Sequence, residues 1–313
     1  MTKIQPEKVG LKDFYETRLN HAIMSRRKFL KEFTAAVREG KPYAAGRIGI
    51  SEEFWMYLPV LRAEKPHPTQ MRVFEKHLYH HSAPHGIFPV QTDFLLEYAD
   101  YYAGHVRNID CLGLILDAVL GPKIIDFHQF TNNLIYFKDQ IYDKSSPADP
   151  GNCYLNALQG KKLLILCPFA GLLKERATEQ TFEGVWRKTG RKWFHPRSVE
   201  ALEIPYGFDR ETQVRFGTTI RQLEFLREEL GRKNFDVALI AAAGLSIPLD
   251  SFVKQMGKIS LSLGGDLQVL FGVIGKRWRD KERWKRDFFN DWWIDMPDRY
   301  RPKEARFREG DYW

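Results

Sequence analysis

The chain has 313 residues, 43% of them hydrophobic, enough for one large α/β domain or two smaller ones; this composition excludes an intrinsically disordered chain. Forty-eight basic against 40 acidic residues leave a net charge of +8, which favours anionic partners such as nucleotide phosphates, nucleic acid or an acidic membrane surface without choosing among them. No run of about 18 apolar residues occurs and MTKIQPEKVG carries no signal-peptide core, so a cytoplasmic protein is expected, with at most peripheral membrane association.

Apolar positions at helical spacing over 11–39, stopping at Gly40 with Pro42 beyond, predict a long amphipathic helix. KPYAAGRIGI reads as a first strand. SEEFWMYLPVL reads as a helix N-capped by Ser51, with an acidic first turn, ending near Pro59. HPTQ caps another helical stretch, HLYHHSAPHGIFP reads as a loop, TDFLLEYADYYAGHVRN as a helix and DCLGLIL as a strand. After KSSPADPGN (144–152), the best linker candidate, KKLLILCPF is a strand, LLKERATEQTFEGVW a helix, VEALEIPYG a strand and TTIRQLEFLREELGRKN a helix. FDVALIAAAG then reads as a strand, SIPLDSFVKQMG as a helix, ISLSLGG as a strand and DLQVLFGVIGK as a short helix.

Nearly all-apolar strands separated by helices of about 10–15 residues imply a Rossmann-like α/β fold, a mostly parallel sheet with helices on both faces and ligands at the carboxyl ends of the strands. The domain plan is an N-terminal amphipathic segment (1–40), an α/β domain (41–280) with a subdivision point near 144–152, and an aromatic and basic tail (281–313) packing on the domain. Cys111, Cys153 and Cys167 lie far apart without CxxC spacing and read as core thiols of a reducing compartment.

Two stretches, LIAAAGLSIPLD (239–250) and LSLGGDLQ (261–268), run from strand through small residues into a helix. Backbone approach at Gly244, Gly264 and Gly265, with the positive end of a helix dipole, suits a pyrophosphate; the bland alternative is that these glycines only permit tight turns. Beyond them Lys276, Arg277, Arg279, Lys285 and Arg286 alternate with Trp278, Trp284, Trp292 and Trp293. Such a pattern holds phosphates and stacks on bases, or is a solvated basic helix whose tryptophans pack on the core. His77, His80 and His81 fall at i, i+3 and i+4, with His85 nearby, a zinc-like spacing with no carboxylate or cysteine to complete it. GxSxG, Walker A and GxGxxG are absent.

Several of these stretches together resemble bacterial glycosyltransferases of the GT-D fold, formerly grouped as domains of unknown function. RIGISE (47–52) is similar to that family's first motif, approximately Arg-[Phe/Ile]-Gly-Asp-Gly-Glu. HGIFPVQTDFLLEYADYYAGHVRNIDCLG, GKKLLILCPFAGLLKER and the block from Phe235 through GGDLQVLFGVIGKRW resemble later motifs in order, and EGDYW a common close. The resemblance implies a GT-D-type fold that binds a nucleotide sugar, often a UDP-sugar, and transfers the sugar to a hydroxyl of a glycan, with inversion. It implies a divalent metal, manganese or magnesium, held by an Asp-x-Glu pair against the diphosphate.

Here Ile50 stands where that Asp is expected, and Ser51 replaces a glycine, so Glu52 alone remains of the acidic pair. Glu53 faces another direction on a helix and is a poor substitute. Asp266, after the two glycines, is the carboxylate expected to complete the site, giving Glu52 and Asp266 as metal ligands and candidate general bases. Donor binding is expected from Arg47, Gly49, Gly244, Gly264, Gly265, Gln268, Lys276, Arg277 and Trp278. Without a metal, Arg47 with Lys276 or Arg277 would meet the diphosphate by charge alone. The rival readings are an inactive nucleotide or glycan binder of the same fold and, less favoured, a nucleic-acid binder using the tail.

Overall fold

The computed structural model describes residues 23–114, 120–136 and 154–304. Its centre is an eight-stranded, all-parallel sheet made of β1 (Ile23–Met24), β2 (Tyr43–Ile48), β3 (Cys111–Leu114), β4 (Asn133–Tyr136), β5 (Lys162–Cys167), β6 (Ser198–Glu203), β7 (Val237–Ile240) and β8 (Ile259–Ser262). The order across the sheet is β1-β4-β3-β2-β8-β7-β5-β6. Every residue of β2, β7 and β8 is buried, as strands covered on both faces must be. The chain runs outward from β2 through β3 to β4, crosses to β5, and returns to lay β8 beside β2. The direction of winding therefore switches between β2 and β8, and a crevice opens at their carboxyl ends.

The helices are α1 (Arg26–Glu39), α2 (Ile50–Ala63), α3 (Pro68–Ser82), α4 (Thr92–Val106), α5 (Leu120–His128), α6 (Ala170–Arg176) and α7 (Glu179–Val185). They continue with α8 (Arg210–Phe216), α9 (Thr219–Gly231), α10 (Ser246–Gln255), α11 (Gly265–Leu270), α12 (Lys276–Arg279) and α13 (Glu282–Asp287). Alternation along β5 divides the core in two. Leu163, Ile165 and Cys167 face α1, α6, α7 and the chain beyond 278, whereas Leu164 and Leu166 face α2, α4, α5, α9 and α10.

Several elements differ from the sequence expectation. The helix expected over 11–39 begins only at Arg26, because Ile23–Met24 pairs with β4 and the Ser25 hydroxyl accepts from Lys28 N at 3.3 Å; residues before 23 lie outside the described residues. The helix after β2 is capped two residues earlier than expected, at Gly49 rather than Ser51, and passes through Pro59 to Ala63, held by burial of Trp55, Met56, Leu58 and Val60. α3 continues through the histidines to Ser82, where a loop was expected. The stretch read as one helix after β5 is two, α6 and α7, broken at Ala177. Residues 120–136 form α5 and β4, for which no element was expected, while the subdivision point at 144–152 lies outside the described residues.

Beyond α11 the chain packs back on the domain. A parallel pair, β9 (Val273–Ile274) with β10 (Ile294–Asp295), frames buried Trp278, Trp284, Phe288 and Trp293, which join the core under α6 and α7. Two indoles of this core are fixed by hydrogen bonds: Trp293 Nε1 donates to Val185 O at 3.1 Å, and Trp186 Nε1, just after α7, donates to Leu270 O at 2.9 Å. Trp284 and Trp293 are core rings, while Trp278, also buried, lines the cavity as well. Replacing Trp284 by Ala is expected to cost about 3–5 kcal/mol, read as a lower denaturant midpoint at unchanged slope.

Candidate functional site

The crevice at the switch point is a cavity of about 600 Å³. Its wall is built from strand ends: Arg47 and Gly49–Glu52 after β2, Pro168–Phe169 after β5, Ile204–Phe208 after β6, Ala241–Ala243 with Leu245 and Ser246 after β7, and Ser262 with Gly264–Asp266 at β8. Pro84–Gly86, Arg277, Trp278 and Lys281 complete it. Two rim loops meet backbone to backbone, since a side chain on Gly207 would collide with the main chain of Gly86.

Two long helices begin at this wall, α2 with 14 residues and α10 with 10, and neither has a side-chain cap. By contrast α1, α7 and α9 are each capped by a Ser or Thr hydroxyl. The first-turn amides of α2, with the positive end of its dipole, therefore meet the cavity unscreened by a side-chain acceptor, whereas α10 continues a 3-10 turn whose Ala243 O accepts from Ser246 N–H, and Pro248 in its first turn carries no N–H. Ala243 adopts φ 45 between β7 and α10, a left-handed conformation costly for a residue with a Cβ.

Glycines at the site make room for charged groups. Gly264 (φ 52, ψ −140) lies directly against the Arg47 guanidinium, which a Cβ there would strike. A Cβ on Gly49 would stand 2.5 Å from Glu52 Oε2, so the Glu52 carboxylate folds back over that glycine. Arg47 and Glu52 are both nearly buried, at 8% and 7% exposure. Burial pushes the hydroxyl pKa values of Tyr98 and Tyr102 far up, and the Glu52 charge adds to this, leaving both phenols neutral.

The cavity gathers Arg47, Gly49, Glu52, Gly264, Gly265, Asp266, Arg277 and Trp278 from the residues expected by sequence. It does not gather three others. Gly244 turns its Cα toward Ile87, the His85 carbonyl and Trp55, and its own carbonyl accepts from Tyr98 Oη at 2.7 Å. Gln268 is completely buried, and Lys276 is exposed outside the wall, one residue before Arg277. Glu53 is buried and is no part of the lining, whereas Ile50 stands at the wall with 53% of its surface exposed.

Among the described residues no three His, Cys, Asp or Glu side chains gather as a metal site. His77 and His80 are exposed, His81 stacks on Phe54 with centroids 3.7 Å apart and shares a 3.3 Å hydrogen bond with the Ser51 hydroxyl, and only His85 reaches the cavity. Burial, then the neighbouring histidines, lowers the His81 pKa.

Sequence reasoning missed Ser246, Ser262, Tyr206 and Lys281 in the wall, and Asp250 behind it. Asp250 is fully buried; its Oδ2 accepts from Ser262 Oγ at 2.5 Å, while Oδ1 has no hydrogen-bond partner among the described residues. Burial pushes its pKa up to about 7 against the opposing effects of the serines and of Arg47. The folded chain thus holds this proton more tightly than the unfolded one, whose Asp titrates near about 3.9. Stability from this group is complete below that value and lost as pH rises through about 7. Asp250→Asn is therefore expected to gain stability relative to the parent across that interval, and parallel unfolding profiles would refute this. The signal available in SIPLDSF was a lone carboxylate among apolar residues, one turn after a serine.

Compared with known proteins, the chain matches no family model, no curated protein and no solved structure. Among the described residues no helix is long and apolar enough to cross a membrane.

Proposed function

We propose that this chain is a glycosyltransferase of the GT-D type, moving a sugar from a nucleotide-diphosphate sugar, a UDP-sugar in the first instance, to a glycan hydroxyl with inversion. One observation carries the reading: Arg47 and Glu52 from the end of β2 share a cavity with Gly264–Asp266 from the end of β8, flanked by Arg277 and Lys281. A diphosphate there meets cations and the first-turn amides of α2, and two carboxylates stand beside it.

In the reaction the acceptor hydroxyl attacks the anomeric carbon as its proton passes to a carboxylate. The new C–O bond forms as the bond to phosphate breaks, and negative charge moves onto the leaving diphosphate. Glu52, the sheltered carboxylate, is assigned as the base. Arg47, Arg277 and Lys281 neutralise the leaving group. With Glu52 as the base, Asp266 is the hard oxygen donor on the same wall that would hold manganese or magnesium, and the ion would supply Lewis-acid neutralisation of the diphosphate.

Titration calorimetry with UDP and a panel of UDP-sugars, with and without manganese, tests this. Metal-dependent UDP binding supports the carboxylate pair, and equal binding without metal assigns the diphosphate to the cations alone. Absence of nucleotide binding alongside salt-sensitive binding of DNA or RNA would end the proposal. A second reading, a nucleotide or glycan binder without turnover, is favoured by exposed Ile50 at the position of the motif's Asp. Tight donor binding with no sugar transfer would select it.

A further inference from the structure

Two serines in the cavity wall have their hydroxyls committed in opposite senses. Ser246, at the start of α10, accepts a hydrogen bond from the Ala242 N–H at 3.2 Å, which leaves its proton to be given. Ser262, at the end of β8, lies 2.5 Å from Asp250 Oδ2, and above about pH 7, where that carboxylate is charged, gives it its only proton, so toward a ligand it then offers lone pairs alone. Helical spacing builds the arrangement. Ser246 and Asp250 stand one turn apart on α10, and the same helix packs on β8, where Ser260 also donates to Asp250 O at 3.3 Å. Gly46 of β2 lets α10 approach, for a Cβ there would strike Ile247 Cδ1 and stand 3.2 Å from Asp250 Oδ2.

A hydroxyl with a proton to give suits an anionic oxygen. A hydroxyl with only lone pairs disfavours an anion and requires a ligand O–H or N–H. We propose that Ser246 receives a phosphate oxygen and Ser262 a ribose or sugar hydroxyl of one ligand, with Asp250 the positioning residue that fixes the sense of Ser262 and hence the direction in which a nucleotide diphosphate lies. The ligand's identity rests on the nucleotide-sugar reading; the commitment of the two hydroxyls does not.

Calorimetry on the full chain at pH 8, where Asp250 is charged, with inorganic pyrophosphate and with UDP tests the orientation. Ser246→Ala is expected to weaken both probes about tenfold, and Ser262→Ala to weaken UDP about tenfold while leaving pyrophosphate unchanged. Equal losses on both probes in Ser262→Ala, or none on either, overturn the assignment. A ligand-free measurement tests the Ser262 bond itself. At pH 8 the proton NMR spectrum should hold a downfield, slowly exchanging hydroxyl resonance, absent in Ser262→Ala and shifted upfield in Asp250→Asn, whose neutral amide is the weaker acceptor. No such resonance in the parent chain overturns the bond, whether or not nucleotide binds. If the parent binds neither probe, the proposed function and the ligand orientation fall together, and the resonance alone decides how Ser262 is held.

Discussion

Glu52→Gln is expected to lower sugar transfer by about 10²–10⁴-fold while leaving the unfolding midpoint close to that of the parent. The substitution keeps the shape of the side chain, so its packing over Gly49 survives, and removes the negative charge that would accept the acceptor's proton. UDP release, measured for donors and acceptors that the parent turns over, is the readout. The companion change Asp266→Asn separates the roles: if Glu52 is the base, Asp266→Asn weakens metal-dependent UDP binding more than it slows turnover at saturating donor. Unchanged turnover in Glu52→Gln removes this residue from the mechanism.

Gly264→Ala is expected to damage the site in two ways. Its backbone lies at φ 52, ψ −140, where a residue with a Cβ pays about 1–3 kcal/mol, and the added methyl would occupy the place of the Arg47 guanidinium. The expected result is a lower unfolding midpoint together with a loss of UDP affinity of at least about tenfold, the size of one charge-assisted contact. Gly257→Ala is the control. It also has a left-handed backbone, at φ 76, yet nothing lies within 4 Å of an added Cβ. It should lose stability and keep its affinity for UDP. Equal affinity losses in the two variants would show that backbone strain, not the displacement of Arg47, is responsible.

The sheet was legible because buried parallel strands advertise themselves as unbroken apolar runs, as in LLILC and VALI, and the helices between them follow from spacing. The site was legible in part for the same reason. RIGISE and LGGDLQ end strands, and strands β2 and β8 prove to be neighbours. What sequence could not supply was direction. Gly244, Gln268 and Lys276 belong to the right segments but leave the backbone on the wrong side, which one residue of helical rotation or a single tight turn suffices to cause. Asp250 escaped notice because a carboxylate in a helix is ordinarily at the surface; only the packing of α10 on β8 puts it in the interior. The apolar pair Ile23–Met24 continued a helical pattern, and its pairing with β4, over 100 residues away in the chain, decided otherwise. α5 and β4 are too short for periodicity to announce them.

The meeting of Gly207 with Gly86 has a consequence for how the site tolerates change. On that side the aperture is framed by two stretches of peptide, so its breadth is insensitive to drift in the surrounding side chains. Any alteration of the size of molecule admitted is then expected elsewhere on the wall, at Ile50, Arg277 or Lys281, where solvent-facing side chains can lengthen or shorten without disturbing the core.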